Sequence, residues 1–419
     1  MKASLTIKIF YKLKLMKLNS NVDVDYKKRD FFIVLFSVLL SKSLFYENFG
    51  NNLLLGAFLG YLILIIKPLK LTLKKNIVIY MLFFITLITI NQETKLSSVI
   101  VLLIRFSIAL YIVHLMSFKI FADVYIKIMY WVCLISLLYV FVIFFDIHSI
   151  LPNFIGTDER PLRNFLFFGV SENFIKYGIY RNSGLWWEPG AYQIFVNLAF
   201  VFALVRRNIT LKLYIVLGVT IISTVSTTGI LVFMMLSLIY WKGVIRESKN
   251  KIFYISIFSV FSVVVIVVGL PFILLKFGGG DVAQKSVSFL SRYYDFIISY
   301  NMLLENPIIG YGFGSQIENA IPYGMKLMGR IEYELIKPTG SDGLTMLIAQ
   351  CGVITIALIK PLIYPKYTSG LSFSERIIIC ISFIIMFNTQ NFVYFLIFSL
   401  LCFYGMISMQ VKETHLKVK

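Results

Sequence analysis

Long apolar runs alternate with short polar connections along the whole chain. Runs of about 15–25 residues cover 31–46, 53–66, 76–90, 97–117, 124–146, 188–205, 211–226, 228–242, 252–275, 342–359, 376–390 and 392–410. A helix needs about 20 apolar residues to cross the hydrocarbon core of a bilayer. In lipid, only a helix or a closed barrel satisfies the backbone, and no period-2 alternation supports a barrel. The pattern therefore predicts an all-α polytopic membrane protein with about twelve transmembrane helices and two large outward-facing loops. Residues 1–29 read as a cytoplasmic basic arm, carrying Lys8, Lys12, Lys14, Lys17, Lys27, Lys28 and Arg29. This arm has neither the early apolar core nor the small-residue site of a cleaved signal. Residues 30–419 read as a single transmembrane domain, with outer loops at about 147–187 and 276–341.

Composition supports that frame. Of 419 residues, 58% are hydrophobic, against about 45–50% in soluble domains. Mean hydropathy is +0.83. Forty Lys and Arg face 21 Asp and Glu, giving a net charge of +19. These cations lie between apolar runs rather than in one patch, which fits the positive-inside rule better than nucleic acid. One set of connections holds Lys67, Lys70, Lys74, Lys75, Lys119, Lys127, Arg206, Arg207, Lys212, Lys242, Arg246, Lys249, Lys251, Lys360, Lys366 and Arg376. Together with the two ends it carries roughly two thirds of all Lys and Arg and few acids. The sequence thus assigns both termini to the cytoplasm and the two long loops to the outside. Cys133, Cys351, Cys380 and Cys402 all fall in apolar runs without metal-ligand spacing and read as core residues.

Candidate chemistry collects in the outer loops. The first ends in Arg181 to Gly190, RNSGLWWEPG, which runs straight into an apolar segment. An Arg and a Glu at the lip of a membrane helix are costly there. The second loop opens with Gly278-Gly279-Gly280. Phe289, Leu290, Tyr293, Phe296, Ile297, Tyr300, Leu303 and Leu304 then repeat at helical spacing, with Ser288, Arg292, Asp295 and Ser299 opposite. This reads as an amphipathic helix on the outer leaflet, stopped by Asn306-Pro307. The run Gly310 to Gly314, GYGFG, reads as a tight turn. With no strand before it and no Lys after it, it is not a nucleotide loop.

These segments resemble the O-antigen polymerase and O-antigen ligase family. RNSGLWWEPG resembles that family's Arg-x-Ser-Gly…Glu-Pro-Gly segment. Ser291-Arg292 through NPIIGYGFG (Asn306 to Gly314) resembles its Arg-bearing helix and Pro-x-x-Gly-x-Gly turn. SDGLTMLIAQCGV (Ser341 to Val353) resembles the helix after the large loop, with its Gly near mid-helix. STVSTTG (Ser223 to Gly229) looks like the family's small-residue turn between helices. Ligases of the family commonly carry a His near the start of the helix after the large loop. Here that place reads Gly340-Ser341-Asp342-Gly343, which favours a polymerase.

The resemblance implies a metal-independent membrane glycosyltransferase with no cofactor. It would join oligosaccharide repeat units carried on undecaprenyl diphosphate, for O-antigen, capsule or exopolysaccharide, at the outer face of the cytoplasmic membrane. Membrane lipid and a chain-length regulator protein are the other implied partners; nucleic acid is not one. A diphosphate leaving group develops negative charge, which guanidinium answers bidentately, so Arg181 and Arg292 are the phosphate contacts expected. Glu188 and Asp342 are the candidates for accepting the acceptor hydroxyl's proton. Ser183, Trp186, Trp187, Tyr293 and Arg105 are candidate substrate contacts. Each has a structural alternative. Arg181 and Glu188 fit an ion pair, the tryptophans fit an interfacial belt, Arg292 fits a lipid headgroup contact, and Arg105 fits snorkelling within its helix. The competing functions are an O-antigen ligase and a lipid-linked oligosaccharide flippase, the latter expected to carry charge through many spans.

Overall fold

A computed structural model describes residues 28–48, 51–65, 95–145, 153–155, 161–165, 168–171, 180–248, 250–253, 255, 256, 259, 263, 287–313, 322, 324–326, 343–390 and 395–406. These residues are mostly helical. In chain order the helices are α1 (Lys28–Leu39), α2 (Leu44–Asn48), α3 (Asn51–Ile65), α4 (Leu96–Leu115) and α5 (Phe118–Phe144). Then come α6 (Pro189–Arg206), α7 (Leu211–Ser223), α8 (Thr227–Glu247), α9 (Val287–Glu305) and α10 (Gly343–Cys351). The last are α11 (Ile356–Ile363), α12 (Phe373–Phe387) and α13 (Leu396–Met406). Stretches of α4, α5, α6 and α8 are long and apolar enough to cross a membrane; the shorter α3, α7 and α13 are also apolar. The predicted run at 76–90, most of that at 252–275 and residues 1–27 of the basic arm lie outside the described residues.

Helix α6 is the axis of the bundle. It is apolar nearly all round, the mark of a helix surrounded by others, and Ala191 through Ala203 are buried without a break. Pro189 fills its first turn, where no amide partner is needed. Arg207 ends it in the left-handed conformation, φ 51°. Thr210 then caps α7, accepting from the Leu213 amide at 3.2 Å, and Ser226 caps α8, accepting from Gly229 at 3.2 Å. Helices α5, α7 and α8 pack around this axis, while α13 packs against α4 and α11.

The helix ends sort into two sets. At the exit of α6, Arg206 pairs with Asp123 through Nε at 2.9 Å and Nη2 at 3.1 Å. Nearby, Arg207 donates to the Gly370 carbonyl at 3.2 Å, and Lys242 of α8 stands 3.7 Å from Glu375 at the start of α12. The opposite end gathers the starts of α6, α8, α10 and α13 with the exits of α1, α7 and α12.

Three features depart from simple membrane helices. The connection between α5 and α6 contains a three-stranded antiparallel sheet, β1 (Asn153–Ile155), β2 (Pro161–Phe165) and β3 (Phe168–Ser171), where the hydropathy pattern gives only a polar loop. Asn153 pairs with Arg163, and Arg163 with Val170. The apolar run at 342–359 is not one helix. It breaks at Gly352 into α10, a 3-10 turn (Val353–Thr355) and α11.

The third departure concerns α9. It spans the expected residues, but its polar face points into the protein. Asp295 and Ser299 are each 1% exposed, whereas Tyr293, Phe296 and Tyr300 are about half exposed. Ile298 and Met302 pack on Met346 and Ala349 of α10.

Candidate functional site

The RNSG segment docks on the turn between α7 and α8. Arg181 Nε donates to the Thr224 carbonyl at 2.9 Å. The Asn182 amide donates to the Ser223 carbonyl at 3.0 Å. Both hydrogens of Asn182 Nδ2 are used, on Ser136 Oγ of α5 at 3.0 Å and on Ser223 Oγ at 2.9 Å. Its Oδ1 accepts from Gly184 at 3.0 Å. A buried Asn pays for its desolvation only when its donors and acceptor are met, and here they are. Gly184 has φ +55°, and a Cβ there would sit 2.7 Å from the Tyr192 ring. Tyr192 in turn shares a 2.8 Å hydrogen bond with Ser136. Ser183 is buried beside it.

The two tryptophans part company. Trp186 is fully buried, its ring 4.0 Å from that of Phe195 and 5.4 Å from that of Tyr192. Its Nε1 donates to the Ser41 carbonyl at 3.1 Å, and Trp186 forms a β-bridge with Ser43. It has no face left for a sugar; it pins the 40–43 turn to the RNSG segment. Trp187 is half-buried. Its edge meets Phe395, and Lys42 Nζ lies over its ring, 5.6 Å from the centroid. Lys42 is held at φ 52°, a left-handed conformation that costs a non-glycine residue about 1–2 kcal/mol.

Glu188 is the N-cap residue of α6, yet its side chain does not bond its own helix's amides. Its carboxylate accepts instead from Gln390 Nε2 on the turn after α12. Neighbouring Asn388 of that turn accepts from the Thr345 amide in the first turn of α10 at 3.3 Å. The 388–390 turn therefore touches the start of α6 on one side and the start of α10 on the other.

The second half is assembled from backbone. The Tyr311 amide donates to the Ala349 carbonyl at 3.1 Å and the Gly312 amide to the Gln350 carbonyl at 2.9 Å. The Val353 amide returns a bond to the Pro307 carbonyl at 2.8 Å. The Pro-x-x-Gly-x-Gly turn thus satisfies the carbonyls that the break after α10 leaves open. Non-helical backbone is tolerated at membrane depth only when protein covers it in this way. The Phe313 carbonyl also accepts from the Lys95 amide at 3.0 Å, tying the turn to the start of α4.

Arg105 is buried in α4 and donates Nη2 to the Tyr46 hydroxyl at 3.3 Å. Tyr293 is 51% exposed on the outward face of α9. Arg292 lies in α9. Asp342 lies outside the described residues. Sequence reasoning missed Lys42 and Gln390. One sits in a short connection and the other at the end of an apolar run, with no neighbouring motif to mark either.

Residues 213–338 match the family model described as O-antigen ligase. That stretch of the chain is similar to the O-antigen ligase family. The resemblance read from the motifs holds over this span, which contains α7, the STVSTTG turn, α8, α9 with Arg292, and the GYGFG turn. RNSGLWWEPG, Gly343 and Gln390 lie outside the matched residues; of these the RNSG segment docks on the matched span, through Ser223 and Thr224. No curated protein and no solved structure matches the chain.

Proposed function

We propose that the protein is a polymerase of undecaprenyl-diphosphate-linked oligosaccharide repeat units at the outer face of the cytoplasmic membrane. About twelve transmembrane helices carry the site, and both termini face the cytoplasm. The observation that carries this reading is the closure of two motif-bearing halves at one end of the bundle. The RNSG segment docks on the family region's own turn, and Glu188 reaches the 388–390 turn that holds α10. The opposite end carries Arg206, Arg207, Lys242 and Arg376, the charge expected of a cytoplasmic face.

In the reaction, a hydroxyl oxygen of the incoming lipid-linked unit attacks the anomeric carbon of the growing chain. The bond from that carbon to the diphosphate oxygen breaks, and the diphosphate leaves with the electron pair. Arg181 and Arg292 bind its oxygens as charge develops there. Glu188 takes the hydroxyl proton, with Asp342 as the second carboxylate. Trp187 and Tyr293 line the approach; Lys42 adds positive charge beside Trp187. The buried Ser183 and Arg105 are further candidate substrate contacts. The sequence Gly340-Ser341-Asp342-Gly343, without a His, favours polymerisation over transfer to an unrelated acceptor.

Purified protein in liposomes, given lipid-diphosphate-linked repeat units, tests this. Long glycan chains should appear with one undecaprenyl diphosphate released for each bond formed. Transfer only to an added lipid or protein acceptor would mean a ligase. Movement of intact units across the bilayer without transfer would mean a flippase.

A further inference from the structure

Glu188 is hydrogen-bonded from across the bundle. Gln390 stands 202 residues further along the chain, is 9% exposed, and donates Nε2 to Glu188 Oε1. A carboxylate at a helix start ordinarily turns back onto its own amides; this one does not. The space for the contact is built in. A Cβ on Gly190 would stand 3.2 Å from Gln390 Nε2 and 3.3 Å from Glu188 Oε1. A Cβ on Gly343 would fall 2.1 Å from the Gln390 carbonyl and 2.3 Å from that of Phe387. Both neighbouring positions are glycines, and the 388–390 turn lies against the start of α6 at Gly190 and against the start of α10 at Gly343.

We infer that Gln390 is the positioning residue for Glu188. It holds the carboxylate ionised and fixes its direction, so that proton acceptance depends on the docking of α10 against the 388–390 turn. A neutral N–H donor to a carboxylate favours the charged form, and a general base must be charged to accept a proton. Among the described residues, the charged groups on the elements that meet there are Arg181 on the same segment and Lys42 on the 40–43 turn. From the turn after α12 comes Gln390, Phe395 before α13 meets the neighbouring Trp187, and α10 opens with Gly343. Gln390 is thus the neutral donor to Glu188 supplied by the far side of the site. This inference rests on the reading of Glu188 as the base.

The test uses the full-length protein in liposomes with lipid-linked repeat units, and reads kcat and KM for chain extension against pH. Gln390→Met keeps the side chain's length and removes the donor. It should lower kcat about tenfold or more, with KM within about twofold, the loss expected for a hydrogen bond to a charged group. Its acid limb should move to higher pH. Gln390→Glu should move that limb further, because a second carboxylate resists ionisation of the first. A lower melting temperature with an unmoved acid limb in both variants would leave Gln390 as packing only and overturn the proposal. Glu188→Gln separates the two readings. If it is inactive while both Gln390 variants keep the native profile, the base stands and the positioning role falls. If Glu188→Gln keeps native turnover, the base reading itself falls.

Discussion

The RNSG segment and the Pro-x-x-Gly-x-Gly turn do the same job by opposite means. Each fastens a connecting segment onto a helix end. The first does so chiefly with side chains: Asn182 reaches α5 and the end of α7, Arg181 holds the α7–α8 turn, and Trp186 fills the gap to α1. The second does so with amides and carbonyls, and glycines are what let the chains approach. One junction is written in what its side chains reach. The other is written in side chains being absent. Truncation should therefore break the first, and addition of a single methyl should break the second.

The largest effect expected is Gly352→Ala. Its φ is +73°, and a Cβ would lie 1.9 Å from the Ile308 carbonyl, so the turn and the break in α10–α11 have to separate. Loss of more than about 3 kcal/mol follows from undoing buried backbone bonds, seen as aggregation on size exclusion in detergent. Tyr311→Ala in the same turn should cost less than Gly352→Ala, because the Tyr311 amide still reaches the Ala349 carbonyl and only the side chain's bond to Glu305 and its packing on the α9–α10 cluster are lost. Next is Trp186→Ala, which empties a fully buried site and should cost about 3–5 kcal/mol in thermal denaturation. Asn182→Ala should cost about 1–3 kcal/mol, since it strands buried groups of Ser136, Ser223 and Gly184. If Asn182→Ala were neutral and Tyr311→Ala severe, the contrast between the junctions would collapse. The smallest is Lys42→Ala, about 0.5–1 kcal/mol from the lost cation–π contact; a much larger drop in glycan transfer than in stability would mark Lys42 as a substrate contact.

Much of the helical frame is legible in hydropathy, because length and apolarity alone demand it. Helix α9 shows the limit of that logic. Its register was readable, but an amphipathic pattern in a membrane protein does not say which face meets protein. Asp295 and Ser299 turn inward and Tyr293, Phe296 and Tyr300 outward, the reverse of a helix in water. Trp186 and Trp187 are neighbours with identical side chains, and only packing separates an anchor from a half-exposed ring. The break at Gly352 is hidden inside an apolar run, since what permits it is a turn some forty residues upstream. The β1–β3 sheet is built of short strands in a loop whose alternation is too brief to register. Gln390 carries no local signal at all; its partner is distant in sequence.

The most direct measurement concerns Arg181 and Arg292, the two cations assigned to one diphosphate. Each is replaced by Ala in the native host, singly and together, membrane levels are matched, and the surface glycan is resolved by length on a gel. The account predicts single-unit glycan without long chains in each variant, and a double variant no worse than the weaker single. Long chains persisting in both single variants would contradict it.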